Sequence, residues 1–234
     1  MTRTTGLKIL ALDASTEALS VALIDTAADH DFEHFEIAPQ QHARRLLPQA
    51  QELLGRAELT LADLDGFAFG RGPGAFTGLR IAAGLVQGLA GGAGKPVVPV
   101  STLAALASRC QLDPAIDHVR VVQDARMGEV YTADFRRGPD GAPEPLGPER
   151  VICPEALDTE FETRDCVRAG NGWAVMATAR GVDADTLTPV EHWPHALDIA
   201  RLAEPVLARG EAGTAAEALP VYVRDDVARK PGGR

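Results

Sequence analysis

The chain has 234 residues, 45% hydrophobic and 24% charged, which is enough for one large or two modest cores and excludes a largely disordered polymer. Its formal charge of −10, from 33 acidic and 23 basic residues, repels phosphate at long range and argues against binding nucleic acid alone. Aromatic residues make up only 5%, so the core must rest on Leu, Val, Ile and Ala.

Residues 7–12 form an apolar run of strand length, and Asp13-Ala14-Ser15-Thr16 carries turn chemistry. Residues 18–24 are apolar again and residues 30–37 alternate loosely, giving three predicted strands. A helix follows over 42–54, with Leu46, Leu47, Ala50, Leu53 and Leu54 on one face. Pro48 should kink this helix or mark its effective start. Residues 66–69 read as a short buried strand, 70–78 as a glycine-rich loop, and about 75–90 as a helix. Residues 97–100 give another strand, and Ser101 caps the helix after it.

The second part echoes the first. Residues 118–123 predict a strand, Asp124-Ala125 follows it as Asp13-Ala14 follows Leu12, and residues 129–135 re-enter a strand. Residues 138–148 are rich in Pro and Gly and read as a loop. Residues 167–170 predict a short strand, 171–180 a helix, and about 195–209 a last helix strained by Pro205. This order suggests a duplication with a lobe boundary near 104/105, lobes of 1–104 and 105–234, and the last helix packing back on the first lobe. A duplicated Asp after an apolar strand, followed by a hairpin, is the pattern of the actin-like ATPase fold (ASKHA, RNase H-like). That fold is a two-lobed α/β architecture whose hairpins hold the phosphates of ATP.

Asp13, Ser15 and Thr16 are therefore the candidate nucleotide contacts. A carboxylate there can position Mg²⁺, and small residues let backbone N–H groups approach phosphate. Active kinases of this class place glycine two residues after the Asp, where this chain has Ser15. At most weak ATP or ADP binding is expected, and no other cofactor. The simpler alternative is a hairpin turn in which Asp and Ser bond their own backbone. The segment Gly70-Arg71-Gly72-Pro73-Gly74-Ala75-Phe76-Thr77-Gly78 lacks the Gly-Lys-Ser/Thr ending of a Walker loop. In the helix after it only Thr77, Arg80 and Gln87 are polar between positions 75 and 90. A helix packed on its own sheet needs only a ~100° apolar stripe, so this one points to a subunit interface. Gly84 and Gly88 would permit close helix approach. Leu46, Leu47, Ala50, Phe76, Ile81 and Leu85 are the predicted packing contacts, with Arg80 bonding across the interface.

His192 and His195 lack a third ligand and read as helix-start residues rather than a metal site. No Ser/His/Asp or Cys/His pattern specifies a nucleophile. Cys110, Cys153 and Cys166 form no CxxC pair and point to a reducing compartment. The first six residues are polar, the run at 7–12 is too short for a signal segment, and the apolar stretch 81–94 is too short to span a bilayer. A cytoplasmic protein is expected.

Leu10-Ala11-Leu12-Asp13-Ala14-Ser15-Thr16-Glu17, the segment from Gly72 through Arg80, Val100-Ser101-Thr102-Leu103, and Asp124-Ala125-Arg126-Met127-Gly128-Glu129-Val130-Tyr131 resemble the TsaB (YeaZ) family. The resemblance runs from residue 8 to about 135 and returns at Pro220-Val221-Tyr222-Val223-Arg224. It implies a non-catalytic subunit required for threonylcarbamoyl transfer to tRNA adenosine. In that family the subunit pairs with the catalytic paralogue TsaD through N-lobe helices and is joined by the ATPase TsaE. It meets tRNA only through the complex, and the chain alone is a monomer or a homodimer. TsaD-like chains carry a His-x-x-x-His metal pair after the strand that follows the glycine loop. The same register here holds Thr102 and Leu106, which implies loss of the metal. The rival readings are an active phosphotransferase, a peptidase, for which no nucleophile or metal site is seen, and a homodimeric scaffold without a link to tRNA.

Overall fold

The computed structural model describes residues 6–28, 30–157 and 166–224; the polar residues 1–5 lie outside it. Its first sheet is built from β1 (Lys8–Asp13), β2 (Ala18–Asp25), β3 (His30–Ile37), β4 (Gly66–Gly72) and β5 (Val97–Ser101), in the order β3-β2-β1-β4-β5. The β1–β2 and β2–β3 pairs are antiparallel, whereas β1–β4 and β4–β5 are parallel. Strand β1 is central and buried on both faces, which explains its unbroken apolar run.

Alternate residues of that strand feed two separate cores. Leu10 and Leu12 pack with Leu46, Ala50, Leu53, Ala82 and Val86 beneath α1 (His42–Arg56) and α2 (Phe76–Ala93). Ile9 and Ala11 pack with Ala196, Ile199, Ala200 and Ala203 of α5 (Ala196–Ala208) on the other face. The spacing of those four α5 residues is the helical i, i+3, i+4, i+7 pattern. Helix α5 thus covers the first sheet. Its start is fixed by Ser20 Oγ, which accepts from Ala196 N–H at 2.9 Å.

Pro48 does not mark the start of α1. It lies inside α1, which runs unbroken from His42, with Pro48 on the exposed face. Burial of Leu46, Ala50, Leu53 and Leu54 outweighs the lost backbone bond. Pro205 is likewise carried on the exposed face of α5. The β4 strand also runs further than the sequence pattern suggests, reaching Gly72.

The second sheet joins β6 (His118–Arg126), β7 (Glu129–Arg137), β8 (Pro143–Pro145), β9 (Arg150–Ile152) and β10 (Cys166–Ala169), with the path β10-β6-β7-β8 and β9 also on β7. The short β8 lies where a plain loop is expected. Helix α4 (Trp173–Arg180) covers one face through Trp173 and Met176. Helix α3 (Thr102–Cys110) covers the other through Leu103, Leu106 and Ala107. Ser101 caps α3, accepting from Ala104 N–H at 3.1 Å. The echo between halves holds for β1–β2 with β6–β7 and for β4–α2 with β10–α4. The counterpart of β5 has shrunk to a parallel bridge between Ala169 and Glu191.

The segment between β4 and α2 rests on the turn after β1. A Cβ placed on Gly78 would stand 1.8 Å from the Ala14 carbonyl oxygen, a backbone atom that cannot swing away. Gly78→Ala should destabilise the chain by about 1–3 kcal/mol through overpacking. Urea unfolding checks this, and an unchanged midpoint would mean the two segments can separate freely.

Candidate functional site

A cleft opens between the lobes where the β1–β2 and β6–β7 turns face each other. Its walls include Ser15, Thr16, Glu17, Pro73, Phe76, Asp124, Arg126, Tyr131 and Asn171. Residues 221–224 of the C-terminal segment line it too.

The first turn is closed on itself. Asp13 is fully buried, and its Oδ2 accepts from Ser15 N–H at 3.1 Å and from Ser15 Oγ at 2.9 Å. Its Oδ1 is buried without a hydrogen-bond partner, and a Cβ on Gly70 would lie 1.9 Å from it. Burial pushes the Asp13 carboxyl up to about 7, against the lowering effect of the two Ser15 bonds. Thr16 Oγ1 accepts from Ala18 N–H, and Ala75 N–H donates to the Ser15 carbonyl at 2.7 Å. Of the three candidate nucleotide contacts, Ser15 and Thr16 reach the cleft wall. Asp13 does not line it, because its carboxyl is turned inward beneath Gly70.

The second turn carries three successive left-handed residues, Arg126 (φ 64°), Met127 (φ 58°) and Gly128 (φ 78°). Asp124 stabilises it by accepting from Arg126 N–H at 2.7 Å, while Asn171 Oδ1 accepts from Asp124 N–H. The Arg126 guanidinium pairs with Asp124 at 2.9 Å and with Glu17 of the first turn.

The cavity left between these groups is about 200 Å³, below the ~300–1,000 Å³ of ordinary small-molecule sites, and it adjoins one of about 550 Å³ that shares Thr16, Glu17, Ala75 and Arg126. Among the described residues, both guanidinium groups lining it, Arg126 and Arg224, are paired with carboxylates. Phosphates placed between the turns would have to displace the carboxylates that Arg126 and Arg224 already pair with.

The helix face tells a different story. Leu47 and Phe76 are 37% and 43% exposed, and Ile81 and Leu85 are half-buried on the outer side of α2. Leu46 and Ala50, expected among the partner contacts, are instead 0% and 1% exposed in the chain's own core. They form the inner face of α1, since the i, i+4 positions that looked like one apolar stripe point to the sheet. Arg80 is exposed and is also engaged within the chain. Its guanidinium sits 3.8 Å over the Phe76 ring, and its Nε donates to the Tyr222 hydroxyl at 2.9 Å.

At the register of the transferase's metal pair, Thr102 is buried with its hydroxyl donating to the Pro73 carbonyl at 2.5 Å, and Leu106 is fully buried. His195 is held by Glu33 at 3.0 Å and stacks on Phe35 at 4.2 Å, a structural role at the start of α5. Among the described residues no helix is long and apolar enough to cross a membrane.

Glu17, Arg126, Tyr222 and Arg224 were not singled out as site residues by sequence reasoning. Their partners lie up to 142 positions away, and the signal was that all four fall within the segments that carry the family resemblance.

Two sheets of matching order, each presenting a turn to a shared cleft, define a two-lobed protein of the actin-like ATPase class. The family model described as TsaD, tRNA N6-adenosine threonylcarbamoyltransferase, matches residues 34–216. The tRNA threonylcarbamoyladenosine biosynthesis protein TsaB of Escherichia coli K12 is 36% identical over 232 residues, covering 96% of this chain and 97% of that protein. The TsaB protein of Haemophilus influenzae is 35% identical over 234 residues, with the same coverage of 96% and 97%. The solved structure of YeaZ from Pseudomonas aeruginosa superposes with a TM-score of 0.81 at 42% identity, covering 92% of this chain and 99% of that one. The chain belongs to the TsaB (YeaZ) family.

The carboxyl of Asp13 gives a pH signature. The folded chain holds that proton up to about pH 7, whereas an unfolded carboxyl releases it near its ordinary value of 3.8. Between those values the folded state binds more protons, so stability falls as pH rises through the window. Asp13→Asn should leave stability below about pH 4 unchanged relative to the parent and gain on it progressively up to about pH 7. Urea unfolding across that range measures the difference, and a pH-independent gap would mean that Asp13 is ionised in the fold.

Proposed function

We propose that this chain is the non-catalytic subunit of an assembly that makes N6-threonylcarbamoyladenosine in tRNA. In this reading the outer face of α2, with Leu47 of α1, docks on a TsaD-like catalytic subunit. A TsaE-like ATPase joins the pair, and tRNA is met only through the complex. The relatives are described as threonylcarbamoyladenosine biosynthesis proteins, and the matching family model is that of the transferase. A cytoplasmic setting follows from this role.

The observation that carries the docking surface is the set of glycines on α2. Gly84, Gly88 and Gly92 are exposed and four residues apart, and a Cβ on any of them would meet nothing within 4 Å. Glycine inside a helix costs about 1 kcal/mol relative to alanine. The isolated fold gains nothing in packing from their bareness. A second helix laid closely along α2 does, because the missing side chains let the two backbones approach. Ile81 and Leu85 flank this smooth strip and supply the apolar burial. The packed Thr102 hydroxyl and Leu106 side chain support a subunit without the transferase's metal pair.

Sedimentation of the purified chain with the TsaD-like protein of its own organism, with threonylcarbamoyl transfer assayed in parallel, tests the reading. A complex and chain-dependent transfer are expected. No complex and no effect on transfer would leave a homodimeric scaffold as the better account.

Two variants probe the surface. Ile81→Glu should abolish pairing while the isolated chain stays soluble, and normal affinity would remove α2 from the interface. Gly84→Ala with Gly88→Ala should stabilise the isolated chain by about 1–2 kcal/mol yet weaken the complex at least tenfold. Stabilisation without weaker pairing would show that the glycines do not face the partner.

A further inference from the structure

The cleft is crossed by protein groups at the place where its two turns face each other. Residues 220–224 form a strap over it. Val221 N–H donates to the Arg71 carbonyl at 2.8 Å. The Tyr222 ring lies 5.4 Å from that of Phe76, and its hydroxyl accepts from Arg80. On the other lobe, Arg224 donates to the Ala125 carbonyl at 3.2 Å and to the Glu129 carboxylate, with Nη1 3.6 Å from Met127 Sδ. The strap therefore bonds the β4–α2 segment of one lobe to the β6–β7 turn of the other. Gly72 makes room for it: at φ 108°, a Cβ there would stand 2.9 Å from the Val221 carbonyl oxygen.

Two further links reinforce it. Arg126 joins the turns directly through Glu17, and Glu149 accepts from Ser101 Oγ while pairing with Arg71 at 3.2 Å. Arg126 is mostly exposed, so its pairs are weak by themselves. Arg224 is mostly buried and makes several contacts, so the strap carries more of the linkage.

Charge decides against a nucleotide at this place. The two lining guanidinium groups already face Glu17, Asp124 and Glu129. A triphosphate entering the cleft would break those pairs and bring its own negative charge against three carboxylates.

We propose that residues 220–224, with Arg126, form a latch that stands in for a bound nucleotide, cross-linking the two lobes without any ligand. The latch also touches the first turn of α2 through Phe76 and Arg80, so it holds that helix in a fixed orientation. It does not rest on the docking reading, and its test uses the isolated full chain.

Hydrogen exchange read residue by residue is that test, with Mg-ADP as the nucleotide probe. In the double variant Tyr222→Ala, Arg224→Ala, the amides of Val221 and of residues 124–130 should exchange roughly tenfold faster or more, through local opening. Those of β1 should keep their parent rates, which shows that the fold survives. Arg126→Ala, which removes only exposed pairs, should speed the 124–130 amides and leave Val221 slow. In the parent chain, millimolar Mg-ADP should leave the amides of residues 14–17 and 124–128 unchanged. Unaltered exchange in the double variant would sink the latch, and so would protection of either turn by Mg-ADP in the parent.

Discussion

The contact on which the rest depends is the seating of the β4–α2 segment on the turn after β1. Glycines at 70, 74 and 78 bring backbone against Asp13, Ser15 and Ala14 at distances no side chain could tolerate. That approach buries Asp13, fixes where α2 begins and narrows the cleft from one side. A loop that looks like a phosphate cradle is in fact a packing surface. The glycines at 74 and 78 are needed because backbone meets backbone, and the Ala75 N–H is spent on the Ser15 carbonyl.

The other face of the first sheet is held by charge as well as by packing. Asp198 of α5 is fully buried, with Arg109 Nε of α3 at 2.7 Å but off line for a hydrogen bond. Burial pushes Asp198 up to about 6, against the opposing charge of Arg109. Burial likewise works to raise Glu33, but the bond from His195 and the charges of His195 and Arg109 overcome it and hold that carboxyl below its ordinary range. This cluster ties β3, α3 and α5 together. Removing one partner of such a set strands the others without compensation, so the arrangement acts more as a positional lock than as a source of stability.

The two sides of the molecule meet at Phe76. Its ring carries the Arg80 guanidinium on one side and approaches Tyr222 of the strap. The first turn of α2 is thus held by the same residues that close the cleft. The docking proposed for α2 would benefit from such pre-ordering, since less freedom is lost on association. With the latch and the docking face proposed above, the two lobes would serve as a fixed frame that presents one helix face.

By itself the sequence determined the succession of strands in the first lobe, the helices over 42–54 and about 75–90, the Ser101 cap and the excess of apolar surface on α2, because each is written in local periodicity and turn chemistry. The family, too, was legible in the Gly72 to Arg80 and Asp124 to Tyr131 segments. Only the tertiary structure decided which apolar residues face outward. Leu46 and Leu47 are neighbours in sequence, but one is core and the other surface, and that depends on how α1 sits on the sheet. It also decided the fate of the cleft. Whether Asp13 meets solvent or is sealed beneath Gly70, and whether Arg224 is free or paired with Glu129 95 positions away, are outcomes of long-range packing. Such pairings leave no periodic trace in the chain, because distance along it says nothing about which charges the folded lobes bring together.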